Sequence, residues 1–132
     1  MKIQFLSLAV IMSITFISCS SPMTPEEVTR TFINAIADGN CEDALELSIE
    51  TAKEGVETRI ETGCQKDYVE IKSIDCPELS DNSKTIECNC VEIRTSKDHK
   101  LKYTLTKVDG EWKVSNWSKD FDPRNFRIGN NN

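Results

Sequence analysis

The chain has 132 residues, of which 22 are Asp or Glu and 16 are Lys or Arg, giving a formal net charge of −6. That acidic balance excludes recognition of nucleic acid or anionic lipid through a basic patch. A chain this short makes one domain with a modest core, which disulfides would help to hold.

Lys2 is the only charge before Cys19, and residues 3–17 are mostly apolar, interrupted by Gln4, Ser7, Ser13 and Thr15. Those 15 residues fall short of a membrane span, which takes about 20. A basic start, a short apolar run and a small residue at the cut describe a secretory signal. Phe16-Ile17-Ser18-Cys19 resembles the lipobox of bacterial lipoproteins, with Phe16 where the family usually has Leu. The resemblance implies that residues 1–18 are a cleaved signal peptide. Cys19 then begins the mature chain and carries a diacylglyceryl thioether in the lipid bilayer. A thiolate is nucleophile enough for that bond. Two or more acyl chains anchor stably, at about 0.8 kcal/mol per buried methylene. Ser20 stands where enteric inner-membrane lipoproteins have Asp, so the resemblance points to the cell envelope and its outer membrane. Without residues 1–18 the chain keeps 15 basic and 22 acidic residues, a charge of −7.

Besides Cys19 there are Cys41, Cys64, Cys76, Cys88 and Cys90. Outside the reducing cytosol the default is two disulfides and one spare thiol.

After a tether over residues 19–23, Thr24-Pro25-Glu26-Glu27 opens a helix, with Thr as cap, Pro at the first position and two acids against the dipole. Val28, Phe32, Ala35 and Ile36 continue it at helical spacing, and Asp38-Gly39-Asn40 ends it. Residues 41–47 begin a second short helix. Ala52, Val56 and Ile60 predict a third, stopped by Gly63. From Asp67 the period becomes two. Strands are expected around Val69 and Ile71, over residues 85–95, around Leu101, Tyr103 and Leu105, and over residues 111–118. Asp109-Gly110 is a strong hairpin signal. Residues 80–83 and 96–99 read as the other turns. Residues 85–95 have apolar side chains on both parities, which predicts a bulge near Cys90.

Helices followed by an antiparallel meander make an α+β fold. Thr24-Pro25-Glu26-Glu27-Val28, Phe32, Ala35, Asp38-Gly39-Asn40 and Ala44-Leu45, with the closing Val108-Asp109-Gly110-Glu111-Trp112-Lys113-Val114, resemble the nuclear-transport-factor-2-like superfamily. Within it the chain resembles small bacterial lipoproteins of uncharacterised function. The resemblance implies N-terminal helices packed on a strongly curved, cone-shaped, four-stranded antiparallel sheet. The domain is expected over residues 24–120, with a C-terminal tail over 121–132. Fold alone assigns no activity.

Candidate sites are few. Enzymes of the superfamily place an acid, His or Tyr inside the cone. His99 falls in a predicted solvated turn, and a loop tip is a poor place for a general base. Glu70 and Glu92 alternate with apolar neighbours and read as a solvated face, Glu92 turning inward only if a bulge changes the register. No catalytic residue is assigned. Tyr103 is expected on the concave face, as a pocket donor or a core aromatic whose hydroxyl needs a partner. Trp112 and Val114 share a core face, and Trp117 falls on the opposite parity as a contact residue. In a hairpin turning at Asp81-Asn82, Cys76 lies opposite Cys88, close enough to bridge. Cys41 and Cys64 can join the ends of the helical region, leaving Cys90 spare. The alternative is a zinc site from Cys64, Cys76, Cys88 and Cys90, but Cys88-Asn89-Cys90 lacks the Cys-x-x-Cys spacing, so no metal or other cofactor is assigned.

These features predict a membrane-anchored envelope lipoprotein whose non-catalytic domain binds a small molecule, peptide or protein, with a homodimer possible. The alternatives are a cone-pocket isomerase or dehydratase and a purely structural or assembly subunit.

Overall fold

The structure, a computed structural model, describes residues 21–118. The stretch expected to be a signal peptide, Cys19 and the tail expected over 121–132 lie outside those residues. Three helices come first: α1 (Pro25–Ala37), α2 (Cys41–Glu46) and α3 (Glu50–Glu61). Four strands follow: β1 (Glu70–Asp75), β2 (Thr85–Arg94), β3 (Lys97–Val108) and β4 (Glu111–Trp117). They form one antiparallel sheet in the order β1-β2-β3-β4. The α+β arrangement read from the sequence is the one observed.

Thr24 and Glu27 form a reciprocal capping box at the start of α1. The Glu27 amide donates to Thr24 Oγ1 at 3.3 Å, and the Thr24 amide donates to Glu27 Oε2 at 2.8 Å. Two otherwise orphaned donors are thereby satisfied. Gly39 ends the helix with φ of +75°. A side chain there would also come within 3.0 Å of the Cys64 carbonyl oxygen. This turn therefore sets how closely the end of α3 approaches the end of α1. Cys41 and Cys64 are disulfide-paired across that approach.

The buried stripe of α1, with Val28, Phe32, Ala35 and Ile36, packs on the sheet. β2 contributes Ile86, Cys88 and Cys90, β3 contributes Leu101, Tyr103 and Leu105, and β4 contributes Trp112 and Val114. α3 buries little, chiefly Ala52 and Val56. Residues 47–49 pair with β4 through Ile49 N–H to Val114 O at 2.9 Å and Val114 N–H to Leu47 O at 2.8 Å. That pairing covers part of an edge strand, where unpaired backbone groups invite association.

Several expectations need correction. β2 has no bulge near Cys90, because its register with β3 runs unbroken from Thr85↔Thr106 to Arg94↔Lys97. The slips lie in the flanking pairs instead. Lys72 is the extra residue in β1, so Ile71 and Ile74 both turn towards the helices, opposite Glu92 and Cys90. Ser115 is the extra residue in β4, between Leu105↔Val114 and Thr104↔Asn116. An extra residue reverses the facing of everything beyond it. Trp117 accordingly joins the helix side, half-buried with its ring 5.3 Å from that of Phe32, and is not on the opposite face.

The turn expected over residues 96–99 is a two-residue turn at Thr95-Ser96, with φ of +49° and +61°. Positive φ at both central positions matches the twist of a hairpin. His99 therefore lies within β3, opposite Glu92. The sheet is not strongly curled, contrary to the expected cone. Side chains that would line a cone are packed on α1, with the Tyr103 ring 6.2 Å from that of Phe32.

Candidate functional site

The unbroken register of β2 puts alternate side chains on the helix face, and that series does not stop at the apolar residues. After Ile86, Cys88 and Cys90 comes Glu92, with 0% of its surface exposed. An isolated buried carboxylate is costly, so it must be paired and hydrogen-bonded. The Tyr103 hydroxyl donates to Glu92 Oε1 at 2.6 Å. Arg94, two residues on along the same face, donates from Nε to Oε2 at 2.9 Å, and its Nη2 lies 2.9 Å from Oε2. Arg94 Nη1 reaches Asp67 Oδ2 at 3.3 Å, tying the strand end to the loop before β1. The Cys90 thiol points at Glu92 Oε1 from 3.9 Å.

The surroundings hold protons where they are. Burial, and then the Glu92 charge, pushes the Cys90 thiol up to about 12. Burial, and then the same charge, raises Tyr103 well above the usual phenol value. At neutral pH Cys90 is thus a thiol, not a nucleophilic thiolate. Tyr103 is a fixed donor. Both Glu92 oxygens are engaged, and no part of the side chain is exposed to a substrate. The arrangement can orient β2 on β3. A general base must reach its proton, and in this packing Glu92 reaches only protein groups.

Glu92 is the residue that the sequence reading misplaced, on a solvated face. Val91 and Ile93 drew the apolar face to the wrong parity. Carrying the series Ile86, Cys88, Cys90 two residues further gives Glu92, and Arg94 at the next position is its partner.

Among the described residues, no helix covers the opposite face of the sheet. A groove of about 590 Å³ is lined there by residues including Ser73, Asp75, Asn89, Val91, Lys100 and Lys102. Its volume falls in the range of small-molecule sites. Lys102 Nζ also lies 3.3 Å from Glu87 Oε2.

The other sequence candidates fall as follows. Tyr103 is on the helix face and 2% exposed, as expected of a core aromatic with a bonded hydroxyl. Trp112 and Val114 are core. Cys41 pairs with Cys64 and Cys76 with Cys88, with Cα–Cα distances of 6.2 and 4.3 Å. Cys90 is a buried free thiol. Among the described residues no cluster of His, Cys, Asp and Glu could hold a metal ion. Cys19 lies outside the described residues.

No family model and no curated protein matches the chain. Among solved structures it is similar to an NTF2-like protein of unknown function from Cytophaga hutchinsonii, at 16% identity and a TM-score of 0.48 over 81% of this chain and 97% of that one. It is similar to an NTF-2 like protein of unknown function from Shewanella oneidensis, at 11% identity and a TM-score of 0.45 over 69% and 95%. A SEC-C motif containing protein from Rhodopseudomonas palustris matches at 15% identity and a TM-score of 0.46, over 72% and 77%. Likenesses at this level give the chain neither a family nor an activity.

Proposed function

We propose that this chain is a lipoprotein of the bacterial envelope, acylated on Cys19, with a nuclear-transport-factor-2-like domain that binds a ligand on the open face of its sheet and catalyses nothing. The observation that supports binding is the groove of about 590 Å³ over β1, β2 and β3. Its floor includes Val91, and its lining includes two lysines and one acid, Lys100, Lys102 and Asp75. An apolar floor with a few fixed polar groups is the usual composition of a ligand site. That lining suits a small amphiphile or peptide with an acidic group. The outer membrane is the proposed location, on the resemblance around Cys19.

Native mass spectrometry of the protein gently extracted from its membrane tests this reading. The expected spectrum carries acyl mass on Cys19, two disulfides and a retained ligand. Val91→Glu should release that ligand, and Tyr103→Phe should keep it. Retention that survives Val91→Glu would remove the groove from the proposal.

The Glu92–Tyr103 bond supports a second reading, a pocket enzyme of the isomerase or dehydratase type, because a buried carboxylate beside a phenol is material for proton transfer. It requires the helix side to open, since Glu92 is fully buried. Loss of ligand on Tyr103→Phe, with retention in Val91→Glu, would favour it.

A further inference from the structure

The start of the described chain sits at one pole of the domain. Ser21, Pro22 and Met23 line a cavity together with Asp109, Gly110 and Trp112, so residues 21–23 lie against the β3–β4 turn. The β1–β2 loop leaves the sheet at this same end, where the Lys107 amide donates to Lys84 O at 2.8 Å. α1 then runs away from this pole. Its 13 residues span about 20 Å at the usual rise. At its far end Ala37 O accepts from the Asp67 amide at 2.8 Å, beside Arg94 and the Thr95-Ser96 turn.

Only Ser20 separates Cys19 from Ser21. Two residue steps reach at most about 7 Å. The pole also carries apolar surface: Met23 is 41% exposed, Val108 39% and Leu79, in the β1–β2 loop, 47%. Its charges are of both signs, with Lys84, Lys107 and Lys113 among Asp81, Asp109 and Glu111, so it meets a headgroup layer without strong repulsion.

We infer that this pole, made of residues 21–23, the Asp109-Gly110 turn and the β1–β2 loop, rests on the bilayer surface. The domain then stands with Tyr68, Asp67 and Arg94 at its outermost end. The inference rests on acylation of Cys19, which supplies the short tether. The sheet's open face stays to the side, accessible along the membrane plane.

The test uses the full chain, processed in bacteria and reconstituted in vesicles of phosphatidylethanolamine and phosphatidylglycerol. A photoreactive benzophenone side chain replaces either Val108 or Tyr68, which is 73% exposed at the far end. After illumination, lipid adducts are expected at position 108 and their loss is expected at position 68. The mass of the same sample reports the acyl group. Acylated protein with adducts at 68, or at both positions equally, overturns the orientation while the lipoprotein reading stands. Protein without acyl mass overturns that reading, and the orientation with it.

Discussion

The two faces of the sheet use their polar residues in opposite ways. On the helix side Glu92, Tyr103, Cys90 and Arg94 are drawn together and saturate one another. On the other side Ser73, Asn89, Lys100 and Lys102 stand around a groove that a ligand can enter. The groups with the most unusual protonation are therefore not the accessible ones. Perturbed titration points to function only with probability, since structural ion pairs perturb it too. Exposure is the ground on which the proposed binding is placed at the groove face.

The sharpest way to break the comparison is to compare truncations on each face. Phe32→Ala removes a ring that packs edge-on to both Tyr103 and Trp117, and should cost roughly 3–5 kcal/mol. Val91→Ala, on the groove side, should change stability by only about 0.5 kcal/mol. Urea unfolding measures both. Equal losses would mean that the groove face is packed as tightly as the other.

Glu92→Ala should be comparably damaging, at about 3–5 kcal/mol, because it leaves a partly buried guanidinium without its main partner. Glu92→Met combined with Arg94→Met should recover part of that loss, since it removes both charges and leaves only the buried Tyr103 hydroxyl without its acceptor. A double variant as unstable as the single one would show that the ion pair itself, not the avoidance of a lone buried charge, holds β2 in place.

The two disulfides sharpen the comparison by a smaller step. Cys41–Cys64 closes 23 residues among the helices, and Cys76–Cys88 closes 12 within the sheet. Loop entropy assigns roughly 3 kcal/mol to each, with the longer loop ahead by about 0.6 kcal/mol. Unfolding of the two Cys→Ser double variants checks the order. The reverse order would mean that the helical region keeps residual structure when unfolded.

Much of the architecture could be read from local signals. Thr24 and Glu27 announced the first helix because a capping box is short-range chemistry. Asp109-Gly110 announced its hairpin for the same reason, and a turn at Asp81-Asn82 was enough to set Cys76 opposite Cys88. The bulges at Lys72 and Ser115 could not be read, because the choice of which residue to leave unpaired is made by partner strands and by packing on α1. That gap placed Trp117 on the wrong face. Glu92 was lost differently: two half-buried neighbours, Val91 and Ile93, outweighed the parity set by Ile86, Cys88 and Cys90. The open groove, assembled from three strands, left no linear signature.

The smallest effect at neutral pH belongs to the two held protons, and it grows with alkalinity. Cys90 in the folded chain keeps its proton up to about 12, against an ordinary value of 9.0. Between those values the folded state binds more protons than the unfolded one, so stability must fall as pH rises. Its contribution is intact below pH 9.0 and is lost on the way to about 12. Tyr103, also raised, adds a second decline that begins above the ordinary phenol value of 10.0. Near pH 7 neither group alters the pH slope. Urea midpoints should therefore take no slope from these two groups between neutrality and pH 9.0 and decline above it, and Cys90→Ala should remove the earlier part of that decline. Tyr103→Phe should remove the later part. Folded protein should also resist iodoacetamide at Cys90 in mildly alkaline buffer, because reaction needs the thiolate. Rapid alkylation without unfolding would mean that the helix side opens readily, and the case for a substrate reaching Glu92 would have to be reconsidered.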